Sequence, residues 1–443
     1  MIQTTTRVCA ALVAALIAIS PAIAQTTLYV RTSGNDRNTG VSPDRALRTI
    51  QAAVSKVDGP GYVIYVGPGP YTEEVRIGSG RGRRSASGEL VRPNMFSGDS
   101  AGIHTGDEPG EVIISGGGSR NTGLYIDGAD HWEVRNLSFR RQKKNAVQVQ
   151  QASRPVIRDC IIETPLQYGV YVVHGNGLVI DGCRFIRNQT SGHVIYFYGG
   201  GTDDLAVRVE NNSLAMAGEL YLSTGFRDGR TGLSRNNYAA DAYGVILMQL
   251  NNYTPLESWV RNNTISDCFV GIYAYTYHPR SRIAIANNTI TGSCFPVYAI
   301  GLANQPCDLS NTLVSECYYG PFVYAPSQGR VEGTLMHNVR YALRSIGKRL
   351  ADPITGVDPL LADPAAGDWT LAAGSPAIDS GTALNAPSRD IRGRLRPTDG
   401  DDDARPDYDI GATENIPGAG EEEEPAAVRV VRWREVSPRD GED

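Results

Sequence analysis

The stretch Val260-Arg-Asn-Asn-Thr-Ile-Ser-Asp-Cys-Phe-Val-Gly-Ile-Tyr-Ala-Tyr-Thr276 decides the fold, because the chain repeats its pattern along most of its length. Its Asn-Asn-Thr-Ile core returns at residues 287–290, and weaker forms recur at intervals of 22 to 29 residues. The repeats are marked by Leu137, Cys160, Cys183, Asn212, Asn237, Asn263, Asn288, Asn311 and Gly333. Short β-rich runs with this period and no helical period predict a β-solenoid.

Each repeat predicts three short strands, joined by an asparagine corner, a second turn and a loop of variable length. Asparagine suits the corner because it tolerates the left-handed backbone and its amide can bond to the coils above and below. When the third strands are aligned, two apolar columns flank a third column. Side chains alternate along a strand, so the apolar columns are predicted to point inward and the column between them outward.

The outward column is rich in tyrosine. It reads Tyr125, Gln148, Tyr171, Tyr196, Tyr221, Ile246, Tyr273, Tyr298 and Val323, and a neighbouring outward column adds Asp127, Gln150, Tyr198, Ser223 and Tyr275. One interpretation is a groove floor that binds a sugar chain, because aromatic rings offer apolar faces to sugar C–H groups while their hydroxyls form hydrogen bonds. The other is that tyrosine is a good exposed strand residue that stacks on itself, or that another segment covers it.

The first 24 residues have the features of a secretory signal. Arg7 supplies the positive charge, residues 10–19 the apolar run, and Ala22-Ile-Ala24 a small-residue cleavage site before Gln25. No later stretch approaches 18 apolar residues, so no membrane span is predicted. We expect a monomer that is secreted, to the extracellular space or the periplasm, after the signal is cleaved.

The net charge of −6 hides an asymmetry between the body and the C-terminal part. Residues 25–351 contain 27 acidic and 32 basic residues, a balance of +5, whereas residues 352–443 contain 21 acidic and 9 basic, a balance of −12. A mildly basic body on an exported protein fits an acidic polysaccharide as partner better than a nucleic acid. An ordinary solvated surface would have the same balance.

Six cysteines remain once the segment with Cys9 is removed. Cys160 and Cys183 occupy the same place in successive repeats, and Cys268, Cys294 and Cys317 do so approximately. Export would permit disulfides, and stacked coils lie close enough for a bridge. A column of small buried thiols is the interpretation we favour, and no pair has zinc-site spacing.

The mature N-terminus resembles the opening of secreted right-handed parallel β-helix proteins of the pectate-lyase-like superfamily. The resemblance lies in Tyr29-Val, in residues 33–40 (Ser-Gly-Asn-Asp-Arg-Asn-Thr-Gly), in Thr49-Ile-Gln-Ala-Ala-Val54 and in Val66-Gly-Pro-Gly-Pro-Tyr-Thr-Glu73. It implies an all-β right-handed parallel β-helix of about ten coils over residues 27–340. Residues 42–57 are predicted to form a capping helix whose apolar face includes Leu47, Ile50 and Val54. Function is implied only weakly, because the superfamily includes lyases, epimerases, hydrolases and adhesins.

The C-terminal part resembles the choice-of-anchor module of bacterial exported proteins, through Gly374-Ser-Pro-Ala-Ile-Asp379-Ser-Gly, Asp390-Ile-Arg-Gly-Arg-Leu-Arg-Pro397 and Asp409-Ile-Gly-Ala-Thr-Glu414. We therefore divide the chain into a signal peptide (1–24), a cap with first coils and an inserted loop (25–122), regular coils (123–350), this module (351–415) and an acidic tail (416–443). The inserted loop, residues 78–120, is rich in Gly, Ser and Arg.

Cleavage or epimerisation of a uronate polymer needs a base near the C5 proton and a cation for the carboxylate. The candidates near the central coils are His174, Tyr196 and Arg227, with Lys143 as an alternative base. Each of them alone is more often a solvated surface residue. Asp203-Asp204 resembles part of a galacturonan hydrolase site, but the accompanying Gly-His-Gly and Arg-x-Lys motifs are missing, so a hydrolase is not expected.

One metal signal lies in the C-terminal module. Asp399, Asp401, Asp403 and Asp407 place carboxylates at alternate positions, as at the start of a calcium loop. The usual glycine at the sixth position and glutamate at the twelfth are missing. A structural Ca²⁺ is the one cofactor expected, and the alternative is a solvated acidic turn.

Two functional hypotheses follow from these patterns. The first is an exported lyase or epimerase that acts on an acidic, uronate-containing polysaccharide. The second is a non-catalytic extracellular protein that binds glycan or serves as a scaffold. Both use the same binding residues, namely Tyr125, Tyr171, Tyr198, Tyr221, Tyr273, Tyr275 and Tyr298.

Overall fold

The computed structural model describes residues 25–417, apart from 80–92, 164, 176, 187–194, 200–206, 216–219, 225–231, 236–237, 241–243, 251–256, 277–281, 302–305, 325–328, 342–343, 347–348, 351–352 and 365. For some strand residues only the backbone is described. These are residues 197–199, 207 and 276, and the strand residues within the ranges 213–258 and 344–350. The signal segment and most of the acidic tail lie outside the described residues.

The described strands form three long parallel sheets, which we name A, B and C in the order in which each coil visits them. Sheet A contains Thr26–Val30, Tyr62–Val66, Asn94–Gly98, Trp132–Arg135, Val156–Arg158, Val179–Asp181, Val207–Glu210, Gly232–Arg235, Glu257–Arg261, Arg282–Ala286, Cys307–Ser310, Arg330–Glu332 and Arg349–Leu350. Sheet B contains Gly69–Tyr71, Val112–Ser115, Ser138–Arg140, Ile161–Glu163, Arg184–Ile186, Ser213–Ala215, Tyr238–Ala240, Thr264–Ser266, Thr289–Thr291, Leu313–Ser315, Leu335–His337 and Ile354–Thr355. Sheet C contains Val75–Ile77, Thr122–Asp127, Asn145–Gln150, Tyr168–Val173, Ile195–Gly199, Leu220–Thr224, Gly244–Leu250, Val270–Thr276, Phe295–Gly301, Phe322–Tyr324 and Arg344–Ile346.

The core fills the interior between the three sheets. Its inward columns on sheet C are buried where side chains are described, as at Leu124, Val147, Val170, Ile272 and Val297. Each strand pairs in parallel with its equivalents in the neighbouring coils, so that identical positions lie one above another. The predicted solenoid, with its alternation of inward and outward side chains, is confirmed.

The corner between sheets A and B contains two consecutive asparagines with different structural roles. The first, as at Asn262 and Asn287, adopts the left-handed backbone, with φ of 51° and 52°. The second, as at Asn263 and Asn288, is completely buried and forms the ladder along the axis. The Asn288 side-chain oxygen accepts hydrogen bonds from the backbone N–H and the side-chain amide of Asn263, both at 3.0 Å. Because these amides are buried, they would lack a hydrogen-bond partner without the ladder.

The capping helix is shorter than predicted. It spans Ile50–Lys56 and begins at Thr49, whose side chain accepts a hydrogen bond from the Ala52 N–H. Pro43–Arg45 forms a separate 3₁₀ turn, and Leu47 lies between the two, bridged to Val30. The apolar positions are buried as expected, but the break before Thr49 interrupts the single helix that their spacing predicted.

Residues 78–120 are not a single inserted loop. They contain the sheet A strand Asn94–Gly98 and the sheet B strand Val112–Ser115. Phe96, Val112 and Ile114 bury their side chains in the core, which is why this glycine-rich region still forms a coil. Its arginine-rich part, residues 80–92, lies outside the described residues.

The predicted outward column is wrong by one residue in two coils. Tyr221 pairs with Leu247, which in turn pairs with Tyr273, so Leu247 and not Ile246 belongs to this column. Tyr298 pairs with Phe322, and Val323 is buried. Both strands contain consecutive apolar residues, and alternation alone cannot define the register of such a strand.

The C-terminal module packs against the corner between sheets A and B. The side-chain amides of Asn262, Asn287 and Asn311 donate hydrogen bonds to backbone carbonyls of Arg389, Asp409 and Thr382. Ile378 and Ile410 join Leu313 and Leu335 in a second apolar cluster. The module also contains a two-stranded antiparallel sheet, Leu361–Asp363 with Asp368–Leu371. None of the described helices is long and apolar enough to cross a membrane.

The cysteines of the described residues are free thiols, and all except Cys294 are buried. Burial raises the pKa of Cys317 to about 12 and also raises the pKa of Cys183. Since the thiolate is the reactive form, these thiols are protected both sterically and chemically.

We predict that iodoacetamide modifies the native mature protein mainly at Cys294, and all six cysteines only after unfolding. Intact-mass spectrometry before and after denaturation measures this directly. Cys294→Ser serves as the control and should leave the native protein almost unmodified. Cysteines that stay unmodified after unfolding in the absence of reductant would indicate disulfides and contradict the free thiols.

Candidate functional site

Sheet C carries a row of half-buried aromatic side chains on its outward face, which we call the aromatic row. Its members in register are Tyr125, Gln148, Tyr171, Tyr196, Tyr221, Leu247, Tyr273, Tyr298 and Phe322. Arg76 precedes the row, with its guanidinium 5.4 Å from the centre of the Tyr125 ring. Side chains at Tyr221 and Leu247 lie outside the described part, so their place rests on backbone pairing alone.

The rings of the row stack on one another along the helix axis. Ring centres are 5.3 Å apart for Tyr171 and Tyr196, and 5.4 Å apart for Tyr273 and Tyr298, with interplanar angles of 21° and 6°. Tyr298 and Phe322 continue the stack at 4.8 Å. These spacings follow from the distance of about 4.8 Å between neighbouring strands. Ring faces within each run are therefore occupied by neighbouring rings, and the ring edges and hydroxyls remain for a ligand.

The environment of the tyrosines keeps their hydroxyls protonated. Burial raises the pKa of Tyr171, with Tyr168 contributing, and burial together with Asp127 raises the pKa of Tyr125. The Tyr125 hydroxyl also donates a 2.8 Å hydrogen bond to the side-chain oxygen of Gln150. These phenols are suited to donate hydrogen bonds or a proton, and poorly suited to act as a general base at neutral pH.

The structure separates the candidate bases. His174 is exposed, directly follows the strand Tyr168–Val173 and has a left-handed backbone, with φ of 56°. Lys143 is exposed at the opposite edge of sheet C, before Asn145–Gln150. Strands of six residues at about 3.3 Å per residue place these two edges about 20 Å apart. His174 and Lys143 therefore cannot act on the same bond.

Four other predicted residues are described to different extents. Arg227 lies outside the described residues. Tyr198 is placed by its strand alone, in register with Val173 and Ser223 in the second outward column. Tyr275 is half-buried in that column, and Tyr196 stacks on Tyr171, whose strand ends at Val173, directly before His174. Of the catalytic candidates, Tyr196 and His174 are thus in neighbouring coils, and Lys143 lies across the sheet from His174.

The carboxylates that converge in the C-terminal module are only in part the predicted calcium ligands. The carboxylates of Asp399 and Asp401 converge with that of Asp379, with ligand atoms within 4.8 Å of one another. Asp403 and Asp407 do not belong to this group and are exposed. Several of the carboxylate oxygens accept backbone hydrogen bonds, among them Asp379 from Gly400 at 2.8 Å. Burial and the charge of Asp401 raise the pKa of Asp379.

The structural Ca²⁺ therefore stays a prediction, now centred on Asp379, Asp399 and Asp401. We expect millimolar CaCl₂ to raise the thermal midpoint of unfolding, because a cation relieves repulsion among the three carboxylates. Asp401→Asn should remove most of this shift, whereas Asp44→Asn, far from the turn, should not. A midpoint that is equal in CaCl₂ and in EDTA would contradict the prediction.

A second aromatic group was missed in the sequence. Phe269, Phe295, Tyr318, Tyr319 and Tyr341 cluster at the corner between sheets B and C, in the last coils. Phe295, Tyr319 and Tyr341 each precede the paired sheet C positions Tyr298, Phe322 and Arg344 by three residues. The predicted register, which used Val323 in place of Phe322, did not show this column. The cluster is continuous with sheet C, because Phe295 begins the strand that contains Tyr298.

Two family models match overlapping parts of the sequence. Residues 94–252 match a model described as a right handed beta helix region, and residues 176–349 match one described as periplasmic copper-binding protein (NosD). The chain is a right-handed parallel β-helix. The fold predicted from the asparagine repeat is confirmed, hand included.

Three solved structures are similar to the chain to different extents. Pectate lyase Pel9A is similar with a TM-score of 0.57 and 13% identity, over 88% of this chain and 96% of that chain. XylC in complex with xylose is similar with a TM-score of 0.49 and 10% identity, over 88% and 98% of the two chains. A GH136 lacto-N-biosidase from Eubacterium ramulus has a TM-score of 0.37 and 11% identity, over 75% and 68%. At 13% identity, the likeness to the pectate lyase shows a common fold. No curated protein matches the sequence.

The described residues do not fit a copper site. Copper favours imidazole, thiolate and thioether ligands. Within the part of the chain that the structure describes, the group of three or more possible metal ligands is the aspartate cluster of the C-terminal module, whose hard oxygens suit Ca²⁺ or Mg²⁺. The described cysteines within residues 176–349 are buried except for Cys294.

Proposed function

We propose that this is an exported protein that binds a polysaccharide along the outward face of sheet C. The observation that carries the proposal is the aromatic row, whose described rings stack in two runs on the outward face of one sheet, Tyr171 with Tyr196 and Tyr273 with Tyr298 and Phe322. Secretion to the periplasm or the extracellular space is supported by the signal-like first 24 residues and by the partial match to a periplasmic family.

The row can bind a sugar chain through its hydroxyls. Within each run, neighbouring coils about 4.8 Å apart each present a phenol hydroxyl, from Tyr171 and Tyr196 in one run and from Tyr273 and Tyr298 in the other. A net contribution of about 0.5–1.5 kcal/mol per hydrogen bond, repeated over several coils, amounts to useful affinity. Binding through ring faces, which was part of one interpretation of the sequence, is restricted by stacking to the ends of each run.

The surroundings of the row are consistent with an open binding face. The described contacts of the C-terminal module with the solenoid go to sheets A and B, at residues such as Asn262, Asn287 and Thr289. The solenoid body has a balance of +5 over residues 25–351, and Arg76 lies at one end of the row. A uronate-containing polymer is therefore the preferred partner.

Catalysis is the second candidate, and the position of His174 favours it. An exposed histidine directly follows the strand that carries Tyr171, whose pKa is raised. In a lyase or an epimerase, the histidine would abstract the C5 proton. In a lyase, a neutral phenol would then donate a proton to the leaving oxygen at C4. The raised pKa of Tyr171 makes this residue a poor general base at neutral pH. Non-catalytic binding needs no base, and it therefore accounts for more of the observed features.

One experiment tests binding and elimination together. The mature protein is passed through gels containing alginate, polygalacturonate or a glycosaminoglycan, and incubated with each polymer while absorbance near 235 nm is followed for the unsaturated product. Retardation on at least one gel without an absorbance change supports glycan binding. An absorbance change lost in His174→Gln establishes a lyase, and epimerisation is read from the uronate composition by NMR. Neither retardation nor reaction on any polymer would overturn the proposed function.

A further inference from the structure

An exposed aromatic cluster lies at the corner between sheets B and C in the last coils, beside the aromatic row. We call it the corner cluster and define it as Phe269, Phe295, Tyr318, Tyr319 and Tyr341. Phe269, Tyr318 and Tyr341 are 45%, 40% and 46% exposed, although large apolar side chains are normally covered. Contiguous exposed apolar surface of this kind marks a binding site more often than a structural feature.

The cluster is ordered by its own contacts. Phe295, Tyr319 and Tyr341 form a stack, with ring centres 4.6 Å and 5.2 Å apart and interplanar angles of 10° and 25°. Tyr318 stands edge-on to Tyr319 and Tyr341, at 78° and 61°. A rigid surface of this kind loses little conformational entropy when a ligand binds.

Arg340 places a positive charge on this surface. Its guanidinium carbon lies 5.1 Å from the centre of the Tyr318 ring and 5.7 Å from that of Tyr341. Among the described residues, no carboxylate lies within the 4.0 Å of an ion pair with Arg340. The Arg340 side chain is exposed, so the N–H donors of its guanidinium are accessible to a ligand beside the two rings.

A cavity of about 510 Å³ opens next to this cation. Its lining includes Cys294, Glu316, Tyr318, Asn338 and Arg340. Small-molecule sites commonly have volumes of about 300–1,000 Å³. The Glu316 carboxylate has partners of its own: Asn338 donates a 2.6 Å hydrogen bond to it, and the His337 ring nitrogen lies 3.6 Å away. The cavity thus contains the Glu316 carboxylate, which contacts Asn338 and His337, and the Arg340 guanidinium, which is the group able to bind an anionic ligand.

The corner cluster lies beside the aromatic row in the same coils. Phe295 and Tyr298 belong to the same strand, and Tyr319 precedes Phe322 by three residues. Three residues of strand span about 10 Å, so a polysaccharide bound along the row would pass close to the corner cluster.

We propose that the corner cluster is a uronate subsite in which Arg340 binds the sugar carboxylate and Tyr318 contacts the pyranose ring. This inference rests on the proposed function, since the row must first bind a polysaccharide. The guanidinium geometry matches a carboxylate in two parallel hydrogen bonds, and the aromatic support fixes its orientation. The subsite would make the protein distinguish an acidic polymer from its esterified form.

The test compares polymers that differ only in charge. The mature protein is titrated by calorimetry with polygalacturonate and with alginate, each beside its esterified form. The variants are Arg340→Gln, and Arg141→Gln as a matched control, because Arg141 is an exposed arginine after a sheet B strand in an early coil. We expect Arg340→Gln to weaken binding of an acidic polymer about tenfold or more, as for loss of a charged hydrogen bond, and to change binding of the ester less than about twofold.

The possible outcomes separate this inference from the proposed function. Selective loss of acidic-polymer affinity in Arg340→Gln, with Arg141→Gln like the wild type, supports the uronate subsite. Equal affinity of the wild type for acid and ester, or an unchanged Arg340→Gln, overturns the subsite and leaves the proposed function in place. A wild type that binds none of the polymers overturns both. Because Arg340 is exposed, its variant should melt at the wild-type temperature, and this is checked first.

Discussion

Replacing Glu414 by glutamine is expected to destabilise the C-terminal module by about 3–5 kcal/mol, the usual cost of removing one partner of a buried ion pair. The Arg396 and Glu414 side chains are completely buried and form an ion pair at 2.5 Å. Arg396 also donates hydrogen bonds to the Asp409 and Gly411 carbonyls, at 3.2 Å and 2.9 Å. Glutamine keeps the size of the side chain but removes the largest of the negative charges that act on the buried guanidinium, leaving those of Asp390 and Asp409.

The charge state of the pair at neutral pH follows from the chemistry of arginine. Burial raises the pKa of Glu414, and the Arg396 guanidinium opposes that shift. Arginine keeps its proton in proteins, and Glu414 also accepts a hydrogen bond from the Thr398 N–H at 3.0 Å. We therefore treat the pair as ionised, which is the condition under which the loss of one partner is severe.

Urea unfolding followed by tryptophan fluorescence, to which Trp369 contributes from its buried position in the module, measures this effect. The control is the double variant Arg396→Met with Glu414→Leu, because apolar replacement of both partners commonly restores most of the lost stability. A single variant within about 0.5 kcal/mol of the wild type, the range of surface substitutions, would contradict the role assigned to the pair.

Asn288→Ala should cost the solenoid about 3 kcal/mol, because several buried polar groups lose their partners together. The Asn288 side-chain oxygen accepts two hydrogen bonds from Asn263, and its amide donates to the Val260 and Ala286 carbonyls at 3.0 Å and 3.1 Å. Alanine removes all four bonds in a place that water does not reach.

Chemical unfolding followed by far-ultraviolet circular dichroism measures the loss for Asn288→Ala. Asn121→Ala is the matched control, since Asn121 is exposed between two strands and should lose less than about 0.5 kcal/mol. A cost below about 1 kcal/mol for Asn288→Ala would mean that the ladder contributes little beyond an ordinary surface hydrogen bond.

The asparagine repeat was enough to predict the solenoid, because its corner has strict physical requirements. The left-handed residue and the buried amide must each recur once per coil, as Asn262 and Asn263 do. The register of Gly244–Leu250 could not be predicted, since Val245, Ile246, Leu247 and Met248 are all apolar and either face could be inward. Only pairing with Tyr221 and Tyr273 decides it.

The sites were less predictable than the fold because they combine residues from different coils and turns. Asp379 lies 20 residues before Asp399, and no local pattern connects them. Tyr318 and Tyr341 lie at different positions of their turns, one three and the other four residues after a sheet B strand, so their contact appears only in the folded chain. Stacking within the aromatic row depends on side-chain rotation, which strand alternation does not define.

The central claim, that a polysaccharide binds to the hydroxyl edges of the aromatic row, is tested most directly by removing two hydroxyls. The affinity of Tyr171→Phe with Tyr298→Phe is compared with that of the wild type by calorimetry, on the polymer that the wild type retains. Phenylalanine keeps the stacks, so stability should be unchanged. We predict a loss of about fivefold or more, from about 0.5–1.5 kcal/mol per hydrogen bond, and no loss for Tyr29→Phe on sheet A. Equal affinity of the double variant and the wild type would contradict the account.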